Sequence, residues 1–216
     1  MAVLVGKKAP DFKAPAVMGD NSINEDFHLF NQLDNRYGIL FFYPMDFTFV
    51  CPTEIIAFDN HYDEFQKREC ELIAVSCDSQ YVHLAWKQTP LEQGGIGKVR
   101  FPMVADITKR IASDYDVLID NDFVLDEHGN LVPILGGSIA LRGLFLIDKR
   151  GFVRHQLVND KPLGRSVEEA LRMLDALQYF EQHGEVCPAN WKPGKQGLKT
   201  TSADVGEFLH QYSKTL

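Results

Sequence analysis

The chain of 216 residues carries 22 lysines and arginines against 30 aspartates and glutamates, a formal net charge of −8. That balance disfavours a polyanionic partner, and so nucleic-acid binding. Hydrophobic residues make up 45%, enough for a sizeable core, yet no apolar run reaches the length of a membrane span.

The first residues, MAVLVGKKAPDF, place a basic pair after the apolar residues, whereas a secretory leader has it before them. A cytoplasmic protein is the expectation. The four cysteines, Cys51, Cys70, Cys77 and Cys187, form no Cys-x-x-Cys pair. This argues against a structural zinc site and a thioredoxin-type dithiol. In a reducing compartment a static disulfide framework is not expected either.

In chain order, Ile39–Tyr43 has strand composition and stops at Pro44, which cannot continue a central strand. A loop follows. Pro52 then predicts a helix start, with Ile55, Phe58, Tyr62 and Phe65 as one buried helical stripe. Glu71–Ser76 is the next strand, and Asp78 or Ser79 can cap a helix through Trp86. Gly94-Gly-Ile-Gly97 lacks phosphate-loop spacing and reads as a plain loop. Phe101–Ala105 is a short strand and 108–113 a short helix. Phe123–Leu125 and Leu131–Ile134 flank a turn-rich segment, a surface hairpin inserted into the domain. Gly143–Asp148 and Phe152–Val158 form a second hairpin. Ser166-Val-Glu-Glu169 is a capping box opening a long helix that Gly184 stops. Residues 185–194 lack periodicity and read as an arm outside the core. The expected fold class is α/β, a mixed central sheet flanked by helices. Residues 1–165 form the main domain, and 166–216 the C-terminal helix and arm.

Cys51 sits on a strand-loop-helix joint immediately before Pro52. A sulfur there lies at the positive end of a helix dipole, which favours thiolate over thiol. Thr48, three residues earlier, can turn its hydroxyl toward the same spot. A cysteine taken at random is more often an inert buried residue; here the joint, where open α/β sheets place reactive groups, favours a nucleophile.

The segment Pro44-Met-Asp-Phe-Thr48-Phe-Val-Cys51-Pro52 resembles the Pro-x-x-x-Thr-x-x-Cys signature of peroxiredoxins. The similarity continues through KKAPDF, HLAWKQTP, GGIG, FPMVAD, LRGLFLID, VNDKPLGRS and HGEVCPANWKPG, and points to the typical two-cysteine class, of alkyl hydroperoxide reductase C or thioredoxin peroxidase type. This resemblance implies a thioredoxin-like fold with an extended C-terminal arm, and reduction of hydrogen peroxide and organic hydroperoxides. It also implies a homodimer, often in a ring of five dimers. It casts Cys51 as the peroxidatic cysteine and Pro44 as its shield. Thr48 becomes a hydrogen-bond partner of the peroxide, Arg142 the active-site arginine, Glu54 its orienting carboxylate and Cys187 the resolving cysteine. An arginine at the start of an apolar strand is expected to be buried, and a buried guanidinium needs an anionic partner.

Cys187 lies in a Gly/Pro-containing arm that can move, which suits a thiol that must reach a sulfenic acid at Cys51. Sequence separation leaves open whether it acts within or between subunits; the resemblance implies between. Disulfide geometry needs α-carbons within about 7 Å, so the first turn after Cys51 and the arm are expected to unfold transiently. Cys70 and Cys77 flank a strand and read as core or half-buried residues. The seven histidines show no metal-ligand spacing, and Trp86 and Trp191 read as packing anchors. No flavin or nicotinamide fingerprint is present, so no cofactor is expected. Electrons would arrive from thioredoxin or a flavoprotein disulfide reductase.

A thiol-disulfide oxidoreductase is disfavoured by the missing Cys-x-x-Cys; a peroxide-switched holdase is the second reading. The GGIG loop resembles members that over-oxidise readily, but Glu207-Phe208-Leu209 lacks the Tyr-Phe pair that accompanies it, so intermediate sensitivity is expected. Residues 121–140 are longer than the family pattern. The dimer is expected to form through the Phe152–Val158 edge strand.

Overall fold

The computed structural model describes residues 2–119, 123–125, 128, 130–133 and 138–214. They fall into two compact units, 1–167 and 168–216.

The first unit is built on strands β1 (Lys13–Val17), β2 (Ile23–His28), β3 (Tyr37–Phe42), β4 (Cys70–Ser76), β5 (Met103–Ala105), β10 (Arg142–Ile147) and β11 (Val153–Asn159). They form one mixed sheet in the order β11-β10-β3-β4-β5-β1-β2. The central strands β3, β4 and β5 are parallel. The hairpin β10–β11 and the pair β1–β2 close the two sides antiparallel. All six residues of β3 and all seven of β4 are buried, as expected of strands covered on both faces, although β4 carries the polar Glu71 and Ser76 near its ends.

One face packs Leu40, Phe42, Ile73, Val75, Phe145 and Ile147 against α1 (Leu29–Leu33) and α5 (Arg110–Asp114). On the other face Phe41 stacks on Phe58 of α2 (Cys51–Asn60), with ring centroids 4.4 Å apart. Phe58 in turn meets Phe65 of α3 (Tyr62–Lys67). Helix α4 (Gln80–Gln88) lies over β1 and β5, and the Ser79 hydroxyl caps it by accepting from the Val82 amide. β11 lies at one end of the sheet and β2 at the other.

Two local expectations change. The stripe Ile55–Phe65 is not one helix: His61 leaves helical geometry (φ −101°, ψ 9°), its ring bonded to the Ala57 carbonyl, and Tyr62 is only half-buried. The helix expected from 108 starts at Arg110, because Lys109 is left-handed (φ 61°). The buried Asp106 carboxylate accepts from the Ile111 and Ala112 amides, satisfying donors that the first turn leaves open. The inserted hairpin pairs β7 (Phe123–Leu125) with β8 (Leu131–Pro133); its turn residues 126, 127 and 129, together with Ile134, lie outside the described residues. The short strands β6 (Leu118–Ile119) and β9 (Ile139–Ala140) pair with each other beside it.

In the second unit, α6 (Val167–His183) ends where Gly184 turns left-handed (φ 68°) and donates to the Phe180 carbonyl. The arm doubles back: Val186 pairs with Leu198, and the Trp191 indole donates to the Lys195 carbonyl. Beyond it α7 (Ser202–Tyr212), absent from the sequence reading, is capped by the Thr201 hydroxyl, which accepts from the Asp204 amide. No helix among the described residues is long and apolar enough to cross a membrane.

Candidate active site

The parallel strand β3 delivers the chain to the loop 43–50, and α2 begins at Cys51 with Pro52 behind it. The Cys51 side chain is fully buried and its thiol is free. It lies at the helix start, where backbone amides have no intrahelical acceptor. Pro44 is buried at the other end of the loop.

Glu54 follows Cys51 by three residues, so the two share one helix face. Arg142 enters from the first position of β10 and is 3% exposed. Its Nη1 lies 3.4 Å from Cys51 Sγ and 2.6 Å from Glu54 Oε2, and its Nε donates to the Lys161 carbonyl at 2.6 Å. The expected buried arginine thus has the expected anionic partner.

Sequence reasoning missed a second arginine in this cluster. Arg165 Nε and its own backbone amide both donate to Glu54 Oε1 at 2.7 and 2.8 Å, and its Nη2 donates to Oε2 at 3.0 Å. Its remaining Nη1 donates to the Gly143 carbonyl, and the guanidinium lies over the Phe41 ring. Burial pushes the Glu54 carboxyl upward, but the hydrogen bonds and charge of Arg165, with Arg142 behind it, outweigh this and hold it below the usual carboxylate range. Burial is also the main influence on Arg165, drawing it below its ordinary value against the pull of Glu54. The only signal in sequence was the position of Arg165 inside VNDKPLGRS, where a solvated charge would look the same.

Thr48 is half-buried, and its hydroxyl donates to the Met45 carbonyl at 2.8 Å. The proton expected at Cys51 is committed to the loop's own turn, and the oxygen lone pairs remain as acceptors.

In the second unit Cys187 is half-buried, with Sγ 3.5 Å from the Ala176 carbonyl. Burial raises its thiol above the ordinary value, partly offset by Arg172. Arg172 itself bridges Glu169 and the Trp191 carbonyl. The Phe208 and Tyr212 rings of α7 meet at 4.9 Å, so a tyrosine does stand beside that phenylalanine, one helical turn later. Burial drives the Cys70 thiol far up and the Cys77 thiol to about 11, which leaves both as unreactive thiols at neutral pH.

The AhpC/TSA family model matches residues 5–156, and the model of the C-terminal domain of 1-Cys peroxiredoxin matches 176–211. The chain belongs to the AhpC/TSA family. It is a peroxiredoxin, an enzyme that reduces peroxide with a thiol. It is 55% identical over 211 residues to alkyl hydroperoxide reductase C of Helicobacter pylori, covering 98% of each chain. With the thioredoxin peroxidase of Echinococcus granulosus it shares 48% over 209 residues, 97% of this chain and 99% of that one. The reduced 2-Cys peroxiredoxin of Plasmodium vivax superposes with a TM-score of 0.85 at 46% identity, covering 97% of this chain and all of the other. These matches span both units, so the peroxiredoxin likeness includes the arm that carries Cys187.

Proposed function

We propose that this peroxiredoxin reduces hydrogen peroxide and organic hydroperoxides through Cys51, with Cys187 as the resolving thiol. The observation that carries the reading is the Arg142 guanidinium held 3.4 Å from Cys51 Sγ and clamped by Glu54. Two guanidiniums share one carboxylate in a buried site, which leaves one positive charge that a Cys51 thiolate would balance. The thiolate attacks one peroxide oxygen, the O–O bond breaks, and the departing oxygen takes a proton and leaves as water or alcohol. Arg142 stabilises the charge that develops on that oxygen. Pro44 shields the sulfur, and the free lone pairs of Thr48 accept the peroxide proton. Glu54 and Arg165 hold Arg142 in place.

Cys51 is then a sulfenic acid. The Cys187 thiol of a second subunit condenses with it, releasing water and forming a disulfide. A dithiol protein such as thioredoxin, or a flavoprotein disulfide reductase, returns both thiols. The first turn of α2 and the arm must open for this step, because a fully buried Sγ has no room for a partner. The raised Cys187 thiol sets its pH dependence. Below the titration of that thiol the thiolate fraction grows with pH, so disulfide formation should accelerate about tenfold per unit over roughly pH 6 to 8. Stopped-flow tryptophan fluorescence would follow it, and a pH-independent rate would contradict the assignment.

We place the protein in the cytoplasm as a homodimer joined through β11, with dimers gathered into a ring. Phe47, Phe49, Tyr81, Val82 and Ile107 are exposed, and such apolar surface supports association of further copies. It is also the feature that favours the second reading, a peroxide-switched holdase. Steady-state turnover separates the two. An enzyme consumes many equivalents of hydrogen peroxide when supplied with thioredoxin and its reductase, whereas a holdase stops after one.

A further inference from the structure

Asp46, two residues before Thr48, is held from three directions although it lies in a loop. Its Oδ1 accepts from the Tyr43 hydroxyl at 2.7 Å. Its Oδ2 meets His83 Nδ1 at 2.7 Å. Its backbone amide donates to Asp78 Oδ2 at 3.0 Å, and that oxygen also accepts from the Ser76 hydroxyl. The opposite nitrogen of the imidazole, His83 Nε2, faces the Val104 carbonyl at 3.2 Å. The side chains of His83 and Asp46 are both 0% exposed. Tyr43, at the end of β3, is buried too, and burial followed by the Asp46 charge keeps it a phenol. His83 Nδ1 also lies 3.3 Å from the Tyr43 hydroxyl, so the ring joins the loop carboxylate on one side to the β5 backbone on the other.

We propose that the buried Asp46–His83 pair is the positioning device for the peroxidatic loop, fixing the backbone from which Thr48 and Cys51 are presented to the peroxide. This rests on the functional reading of Cys51 above. Neither residue touches the reacting atoms; they act through the loop. The residue after Asp46, Phe47, is left-handed at φ 53°, a conformation costly for a side chain of that size that persists only where its surroundings over-determine it. The pair supplies that determination by tying the loop to α4 and β5. Beyond Thr48, Phe49 is 94% exposed. When the first turn of α2 opens to release Cys51, the opening is bounded at Asp46 on one side, and the loop returns to the same geometry after reduction.

The test compares two half-reactions in the full-length protein: Cys51 oxidation by hydrogen peroxide, and reduction of the disulfide by thioredoxin. Asp46→Asn and His83→Gln keep the approximate shapes and remove the carboxylate–imidazole contact. Both are expected to slow the peroxide step by roughly tenfold to a hundredfold, the scale of small misplacements of reacting groups, with the reductant step unchanged. A peroxide rate within twofold of wild type would overturn the proposal, as would both steps falling in parallel with the melting temperature. Should those variants not fold, Tyr43→Phe removes one donor to Asp46 and is expected to slow the peroxide step about threefold; no change there would overturn it equally. If wild-type Cys51 itself ignores peroxide, the functional reading fails and not the positioning alone.

Discussion

Cys51→Ser is expected to lower hydroperoxide turnover by more than about 10⁴-fold, the scale seen when a catalytic nucleophile is removed. Serine fits the same space at the start of α2, so the fold and the arginine cluster should persist and the loss should fall on rate alone. A hydroxyl does not ionise under conditions where a thiol does, and oxygen offers no sulfenic acid on which Cys187 could act. The check is a coupled peroxidase assay beside a melting curve. Loss of turnover with an unchanged melt fits the proposed role. Residual turnover within tenfold of wild type would move the nucleophile elsewhere, yet Cys70 and Cys77, with their raised thiols, are poor substitutes.

Glu54→Ala is expected to have the largest effect on stability. Glu54 is the carboxylate that both Arg142 and Arg165 engage. Removing it leaves two guanidiniums facing each other in a buried site, at a cost of about 3–5 kcal/mol. Glu54→Gln keeps some hydrogen bonds and should fall between. Both should slow peroxide reduction by roughly tenfold to a hundredfold, because Arg142 is freed to turn away from Sγ. The pH dependence has a definite sign. The folded-state carboxyl titrates below its ordinary range, so its stabilisation is fully present above about pH 4.3, the unperturbed value. It is lost as pH falls through the lower, folded value. Denaturant melts between pH 3 and 7 should show this acid loss in wild type and a shallower slope in Glu54→Gln; equal slopes would contradict the clamp.

What was legible in the sequence follows from what is local. The strand-loop-helix joint at Pro44–Pro52 is written in neighbouring residues, so Cys51 and its position at a helix start could be read directly. The burial of Arg142 followed from the apolar strand it opens. Arg165 was illegible because its burial depends on Gly143 and Glu54, far away in sequence, and Gly164-Arg-Ser166 has no periodicity. The Asp46–His83 pair is hidden for the same reason, its members being 37 residues apart. The single stripe expected through Phe65 failed at His61, whose ring bonds back to the Ala57 carbonyl. β2 escaped notice because Asn24, Glu25 and Asp26 are exposed in it and mask the strand pattern. The Thr48 hydroxyl shows local competition: the carbonyl three residues back takes its proton.

The most direct test of the central claim is mass analysis under denaturing, non-reducing conditions after one equivalent of hydrogen peroxide, on the reduced wild type and on Cys187→Ser. Wild type is expected to become a covalent dimer linked from Cys51 to Cys187, and the variant to stay monomeric with oxygen added at Cys51. A wild-type Cys51 that remains a free thiol would contradict it.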